Sequence, residues 1–190
     1  GLVLDGIERM SSVKGGHVLV IGSQRPWIEG CLLGAGAARV TTIEYAPIES
    51  RHPQISTLTP EQARAAFGAG VLGPFDAVAT FSSVEHSGLG RYSDAFNPWG
   101  DLQAVARLWC VCKPGGGFLL GVPSMDSDED VIVWNAHRLY GPFLYSHLTA
   151  NWDQVWQSEL RGGDPMRRSG GRHTIVRQRV RVFRKPEMGA

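Results

Sequence analysis

Short apolar segments of strand length alternate with helical segments along most of this chain. Strand patterns rich in Val, Ile, Leu and Phe occur at His17–Ile21, residues 39–45, Ile55–Leu58, Phe75–Phe81 and residues 118–122. Helical patterns occupy residues 2–10, residues 27–36, the stretch from Thr59 onward, and residues 101–110. Strands that alternate with helices form a parallel sheet with right-handed crossovers. The sequence therefore predicts an α/β, doubly wound fold.

The C-terminal part of the chain shows a different pattern. Residues 151–160 and 173–183 are both extended stretches, and a Gly- and Arg-rich loop at residues 161–172 joins them without a helix. Two strands joined in this way pair antiparallel. We therefore expect a mostly parallel, seven-stranded sheet that is closed by a C-terminal antiparallel hairpin.

The size and composition indicate one globular unit. A chain of 190 residues with 43% hydrophobic residues suits a single domain over residues 1–190. No apolar run reaches the roughly 18 residues that a membrane span needs. Because the chain begins at Gly1, we expect an N-terminal part of the native chain to be absent. The three cysteines, Cys31, Cys110 and Cys112, form no disulfide framework, which favours a reducing, cytoplasmic location.

Charge is unevenly distributed, with a basic segment near the C-terminus. Residues 161–185 contain nine Arg or Lys and one acidic residue, Asp164. Such a segment can mark a nucleic-acid partner. Here Arg177, Arg179 and Arg181 alternate with valines, as the solvated face of a strand does. We therefore regard a nucleic-acid partner as the less favoured interpretation.

Polar residues and a glycine follow several of the strands. Gly22, Glu44 and Ser82 stand at the carboxyl ends of the first, second and fourth strands. Open parallel sheets bind ligands at this edge, where the strand order reverses. A glycine lets the backbone approach a ligand closely, and a carboxylate can accept hydrogen bonds from two ribose hydroxyls. The alternative for Glu44 is a solvated carboxylate at a strand end.

Three segments, in order and spacing, resemble the class I S-adenosylmethionine (SAM)-dependent methyltransferases. They are residues 18–22 (VLVIG), residues 42–45 (TIEY) and residues 75–86 (FDAVATFSSVEH), followed by residues 112–117 (CKPGGG). More narrowly, the chain resembles the methyltransferase-like domain of unknown function 268 family, through residues 22–27 (GSQRPW), 83–92 (SVEHSGLGRY) and 134–141 (WNAHRLYG). The resemblance implies a Rossmann-like fold and SAM as the cofactor.

The resemblance also implies which residues bind the cofactor. They are Gly22, Ser23, Arg25, Glu44, Tyr45, Phe81, Ser82 and Ser83. The glycine loop departs from the usual G-x-G-x-G pattern, because Gln24 and Arg25 put bulk where the amino-acid tail of SAM would lie. Arg25 could instead pair with the carboxylate of that tail. The third strand ends without an acidic residue, and Glu61 is a candidate substitute for it.

Catalytic and acceptor-binding residues are expected after the fourth and fifth strands. Glu85 and His86 are the catalytic candidates, because a histidine can remove a proton from a hydroxyl or an amine near neutral pH. A hydrogen bond that only orders the loop is the alternative role for His86. The candidate acceptor-binding residues are Asn135, His137, Arg138 and Tyr140. No metal site is expected, because the histidines and carboxylates lack a ligand spacing.

The sequence therefore favours SAM-dependent methyl transfer to a small-molecule or glycan-like acceptor. A catalytically inactive, methyltransferase-like binding domain is the first alternative, and the altered glycine loop is its main support. A nucleic-acid methyltransferase that uses the basic segment is a less favoured alternative. The sequence does not predict the oligomeric state.

Overall fold

The computed structural model describes residues 1–125, 127–159, 164–167 and 173–187. Five helices occur in the described chain: α1 (Leu2–Glu8), α2 (Trp27–Gly34), α3 (Pro60–Gly68), α4 (Gly100–Val111) and α5 (Pro142–Leu148). The strands are β1 (His17–Ile21), β2 (Arg39–Ile43), β3 (Ile55–Leu58), β4 (Phe75–Phe81), β5 (Cys112–Met125), β6 (Val131–Val133), β7 (His137–Leu139), β8 (Asp153–Gln157), β9 (Asp164–Arg167) and β10 (His173–Arg184). Short 3-10 helices occur at Ser11–Val13 and Val84–His86.

The main sheet has the strand order β3-β2-β1-β4-β5-β10-β8. Strand β9 lies outside this order and pairs with residues 173–176 at the start of β10. Strands β1 to β5 are parallel, whereas β10 runs antiparallel to β5, β8 and β9. The predicted Rossmann-like, doubly wound sheet with an antiparallel C-terminal closure is therefore confirmed. The order reverses between β1 and β4, which creates a crevice at their carboxyl ends.

The strands alternate their side chains between two apolar layers. Leu19 and Val78 belong to the layer that packs against α4, while Val18, Val20 and Ala77 belong to the layer that packs against α1 and α2. Each of these side chains is at most 1% exposed. A strand that is buried on both faces has a continuous run of apolar residues. These strands could therefore be predicted from the sequence.

The start of α3 carries a capping box. The Thr59 side chain accepts a hydrogen bond from the Gln62 backbone N–H, and the Gln62 side chain accepts one from the Thr59 backbone N–H. Pro60 occupies the first helical position, where its missing N–H costs nothing. This reciprocal arrangement satisfies backbone donors that the helix itself cannot pair.

Several local predictions differ from the structure. Residues 113–117 (KPGGG), whose proline and glycines favour a turn, lie within β5, where the register with β4 shifts between Phe75 and Ala77. Part of the predicted loop at residues 161–172 is strand β9, and the rest of that loop lies outside the described residues. The β6–β7 hairpin and α5 were not predicted, because their short segments carry little periodicity.

In the part of the chain that the structure describes, no helix combines the length and the apolar character that crossing a bilayer requires.

Candidate functional site

A cavity of about 400 Å³ lies at the carboxyl edge of the sheet, where the strand order reverses. The residues predicted to bind the cofactor all line it: Gly22, Ser23, Arg25, Glu44, Tyr45, Phe81, Ser82 and Ser83. His86, Tyr92 and Asp94 also line this cavity. Ligand sites in proteins commonly have volumes of about 300–1,000 Å³. The fold therefore gathers residues from three separate strand ends around one ligand-sized space.

Gly22 is required by the packing of the chain itself. Its backbone φ is +72°, and a Cβ at this position would overlap the Ser83 Oγ. The loop after β1 therefore touches the loop after β4 directly. The glycine permits this close approach between two protein segments, in addition to any approach by a ligand.

The loop after β1 is anchored from below by Glu29, a residue that sequence reasoning missed. The Thr42 hydroxyl donates to Glu29 Oε1 at 2.7 Å, and the Ser23 Oγ lies 2.9 Å from Glu29 Oε2. The Ser23 Oγ is also 2.7 Å from the Arg25 carbonyl oxygen. Glu29 is only 1% exposed, so its carboxylate ties the loop to β2 from within. The position of Glu29 in the first turn of α2, directly after the glycine loop, is the sequence feature that could have predicted this role.

Glu44 and Tyr45 stand between two cavities. The Tyr45 N–H donates to Glu44 Oε1 at 2.7 Å. Both residues also line a second space of about 420 Å³, which lies between α3 and α4 and is walled largely by apolar side chains such as Leu72, Ala104 and Leu108. Burial raises the pKa of Tyr45, and Asp94 adds to this shift. The Glu44 carboxylate and the Tyr45 phenol therefore lie at the boundary between the 400 Å³ cavity and the more apolar 420 Å³ space.

The end of β4 turns sharply beside the cavity. Ser82 has a φ of +51°, its N–H donates to the Gly121 carbonyl at 2.8 Å, and its hydroxyl donates to Glu85 Oε1 at 3.0 Å. On the same wall the Phe81 and Trp27 rings meet edge to face, with centroids 5.4 Å apart. These contacts fix the inner surface of the cavity.

The His86 ring is oriented by a backbone carbonyl. Nδ1 lies 2.5 Å from the Ala136 carbonyl oxygen, which can only accept, so Nδ1 carries a proton. In the neutral ring Nε2 is then the basic nitrogen, and it lies 3.8 Å from Glu85 Oε1. Tyr92 packs edge to face on the ring at 5.5 Å. The imidazole is therefore held in one tautomer beside the cavity.

Glu85, the other catalytic candidate, lies beneath the cavity rather than in it. It is 1% exposed, and burial raises its pKa, while His86 and Ser82 act in the opposite direction. Its Oε1 accepts from Ser82 and faces His86. Because Glu85 does not line the cavity, it can act only through these neighbours.

Arg138 and Tyr140 were predicted to bind the acceptor, but the structure turns them inward. Each is 1% exposed. Arg138 donates to the backbone carbonyls of Glu85, Ser87 and Pro98, at 3.3, 2.7 and 3.0 Å. This corrects their expected position, because the guanidinium supports the segment that carries His86 and offers no polar atom to the cavity.

Asp101 completes the buried network under this segment. The Arg138 Nε lies 3.4 Å from Asp101 Oδ1, and the Tyr140 hydroxyl donates to Asp101 Oδ2 at 2.9 Å. Burial raises the pKa of Tyr140 well above its usual range, and the Asp101 carboxylate raises it further. A buried charge pair is stable when hydrogen bonds satisfy its remaining groups, as they do here.

The other two acceptor candidates lie on the β6–β7 hairpin. Asn135 is exposed at its turn with a φ of +51°. The His137 ring lies 6.0 Å from the His86 ring, and burial lowers its pKa, helped by His86 and Arg91. Neither residue lines the 400 Å³ cavity. Within the described ranges, no group of three His, Cys, Asp or Glu side chains is arranged to hold a metal ion.

Solved structures share the fold of this chain. The N-methyltransferase NodS from Bradyrhizobium japonicum is 16% identical with a TM-score of 0.57, over 97% of this chain and 94% of NodS. The 1,6-didemethyltoxoflavin-N1-methyltransferase from Burkholderia thailandensis, with bound 1,6-didemethyltoxoflavin and S-adenosylhomocysteine, is 17% identical with a TM-score of 0.53. That match covers 97% of this chain and 79% of the enzyme. These similarities establish a class I methyltransferase-like fold.

A SAM-dependent methyltransferase from Methanosarcina mazei has the same fold. It is 11% identical with a TM-score of 0.58, over 91% of this chain and 93% of that protein. No curated protein matches the chain. The model of a family described as Caenorhabditis protein of unknown function, DUF268, matches residues 15–165. Because this match spans most of the sequence, the chain belongs to the DUF268 family.

Proposed function

We propose that residues 1–190 form a SAM-dependent methyltransferase domain that acts on a small-molecule or glycan-like acceptor. The observation that carries this proposal is the cavity of about 400 Å³ at the switch point, lined by every residue that the methyltransferase resemblance implied for the cofactor. The fold similarity to methyltransferases supports the proposal. The sparse, odd set of three cysteines in the sequence supports a reducing compartment such as the cytoplasm.

The residues present suit SAM chemically. Glu44 would hold the ribose hydroxyls, and the apolar space beside Tyr45 would take the adenine ring. Arg25 lines the cavity, and its guanidinium would pair with the carboxylate of the methionine part. When bound, SAM supplies a methyl group activated by a positively charged sulfur.

His86 is the residue that would handle the proton of the acceptor. Its Nε2 is the basic nitrogen, because Nδ1 is bound to the Ala136 carbonyl. A hydroxyl or amine on the acceptor would pass its proton to Nε2 as it becomes a nucleophile. Glu85 would stabilise the imidazolium that results, from a distance of 3.8 Å. We propose Glu85, Arg138 and Tyr140 as positioning residues, and Asn135 and His137 as the candidates for contact with the acceptor.

The first test is calorimetric titration of SAM and S-adenosylhomocysteine into the purified chain, with NAD as a control ligand. We expect micromolar binding of the first two alone. Glu44→Ala should weaken SAM binding about tenfold or more, because two charge-assisted hydrogen bonds are lost. Glu8→Ala is the matched control, since Glu8 is an exposed residue of α1. Unchanged binding in the Glu44 variant would remove Glu44 from the site.

The same titration tests the second candidate, a methyltransferase-like binding domain without catalysis. Its ground is the sequence of residues 22–26 (GSQRP), which departs from the usual G-x-G-x-G pattern. If neither SAM nor S-adenosylhomocysteine binds, this second candidate replaces the first. A nucleic-acid acceptor finds less support, because two charges of the basic segment are engaged within the fold. The buried Lys185 ammonium donates to the Trp109 and Cys112 carbonyls, and the Arg181 guanidinium lies over the Tyr145 ring at 4.1 Å.

A further inference from the structure

Two exposed aromatic rings stack on each other beside the proposed active site. Phe96 is 65% exposed and Trp134 is 76% exposed. Their ring centroids are 5.2 Å apart, and their planes are only 12° from parallel. Large aromatic side chains are usually well covered in folded proteins. A pair that is exposed and ordered by mutual stacking is therefore a candidate binding surface.

The backbone holds this pair next to the cavity wall. Phe96 follows Asp94, which lines the cavity, by two residues, and Trp134 precedes Ala136, whose carbonyl orients His86, by two residues. The Phe96 ring also packs over Gly90, where a Cβ would lie 3.1 Å from the Phe96 Cζ. The stacked rings therefore connect the loop after the Val84–His86 turn with the β6–β7 hairpin.

The surrounding charges restrict the ligand. The Asp94 oxygens accept from the Gly88 and Tyr92 backbone N–H groups, and Asp130 Oδ1 accepts from the Gly141 N–H, so the backbone engages these carboxylates. The Arg91 guanidinium lies over the Tyr92 ring at 5.8 Å. A surface whose nearby charges are engaged in this way offers little to a phosphate, and hence to a nucleic acid, whose affinity depends on basic contacts. A neutral ligand suits this surface better.

The size of the surface argues for a small ring and against a protein partner. A stable protein interface buries about 800 Å² on each partner. A Trp or Phe side chain contributes only about 150–250 Å² when it is fully covered. Two partly exposed rings therefore supply far less than an interface needs, but enough to cover one face of a ring-sized molecule.

We propose that Phe96 and Trp134 form a saccharide-stacking subsite, which makes the acceptor a neutral glycoside or oligosaccharide; this rests on the proposed methyltransferase function. A pyranose has an apolar C–H face that can pack on an aromatic ring, and a rim of hydroxyls. The exposed Asn135 amide, next to Trp134 in the chain, can bond such hydroxyls. A sugar stacked here would lie at the hairpin whose Ala136 carbonyl orients His86.

The test is saturation-transfer NMR on the whole chain. The probes are neutral tetrasaccharides of glucose, galactose and N-acetylglucosamine, with adenosine monophosphate as the anionic aromatic control. We expect at least one saccharide to receive saturation through its ring C–H protons. Trp134→Ala should weaken its binding about fivefold or more, since a stacked aromatic contact is lost. Trp134→Phe should retain most of the binding, because an aromatic face remains.

Phe143→Ala is the matched control, because Phe143 is also 65% exposed but lies on α5. Equal loss in the Phe143 and Trp134 variants would overturn the proposal, as would binding of adenosine monophosphate in preference to every saccharide, or no transfer to any saccharide. Saccharide binding should persist in Glu44→Ala. A failure of the SAM titration is therefore distinguishable from a failure of this subsite.

Discussion

The two edges of the parallel sheet carry similar polar groups but use them in different ways. At the amino edge these groups pair with one another: the Arg39 Nη2 donates to His17 Nδ1 at 3.0 Å, and the His17 Nε2 bonds Thr41 at 2.8 Å. Lys113 pairs with Asp76 across β4 and β5 at 2.5 Å. At the carboxyl edge the side chains line a cavity instead.

The difference lies in what supports each edge. The amino edge is held by partly exposed pairs between neighbouring strands, which contribute little stability individually. The carboxyl edge depends on carboxylates and a guanidinium that are each 1% exposed beneath the cavity, namely Glu29, Asp101 and Arg138. An open site thus requires buried polar support, because its surface groups must stay available for a ligand.

Substituting one arginine at each edge should give the largest difference in the free energy of unfolding. Arg138→Met removes a buried cation, leaving Asp101 short of a partner and three backbone carbonyls without their donor. We expect a loss of about 3–5 kcal/mol in the free energy of unfolding. Arg39→Met, at the exposed amino edge, should cost less than about 1 kcal/mol. Urea unfolding of both variants measures the difference, and equal losses would contradict the comparison.

Two glycines with the same backbone angle give a second contrast. Gly15, before β1, and Gly22, after β1, both have a φ of +72°, but a Cβ at Gly15 meets nothing within 4 Å, whereas one at Gly22 overlaps Ser83. We expect Gly15→Ala to cost about 1 kcal/mol from backbone strain, and Gly22→Ala to cost about 2–3 kcal/mol.

The steric part of the Gly22 effect can be isolated by a double substitution. Adding Ser83→Gly to Gly22→Ala removes the overlapping side chain and should recover about 1 kcal/mol relative to the sum of the single variants. Thermal unfolding of the four proteins in this cycle gives the value. An additive result would mean that the two loops do not restrain each other.

The smallest effect concerns His17 and pH. Burial lowers the pKa of His17 to about 4, with Arg39 and Lys113 acting in the same direction and Asp76 opposing them. Between the ordinary value of about 6.5 and this value, the unfolded chain binds more protons, so stability falls as pH decreases through this window. Because the ring is only half-buried, solvent screening limits the loss to about 1 kcal/mol.

Comparing the unfolding free energies of the native chain and His17→Gln at pH 7 and pH 4.5 checks this sign. The difference between the two proteins should shift by about 1 kcal/mol in favour of the variant at the lower pH. A constant difference would show that His17 is not desolvated in the folded chain.

Much of the site could be predicted because parallel strands bring their carboxyl ends to one edge. Gly22, Glu44 and Ser82 are separated along the chain, yet each follows a recognisable apolar run, and all three line one cavity. The capping box of Thr59 and Gln62 can also be predicted from the sequence, since its two residues are only three positions apart.

Other residues could not be placed from sequence, because their roles depend on distant contacts. Arg138 looked like an acceptor ligand, but its partner carbonyl at Ser87 is 51 residues away in the chain. Glu29 gave no functional signal, although it joins the glycine loop to β2. Phe96 and Trp134 form a pair only because a loop and a hairpin meet outside the sheet.

The sequence by itself determined the alternation of strands and helices up to β5, the doubly wound sheet and the strand ends that face the cavity. Periodicity and capping are local properties, and parallel pairing carries them to one edge without further information. The tertiary structure decided which polar side chains face the cavity and which support it from beneath. That choice depends on burial and on partners far along the chain, such as Asp101 for Tyr140, and no local pattern encodes it.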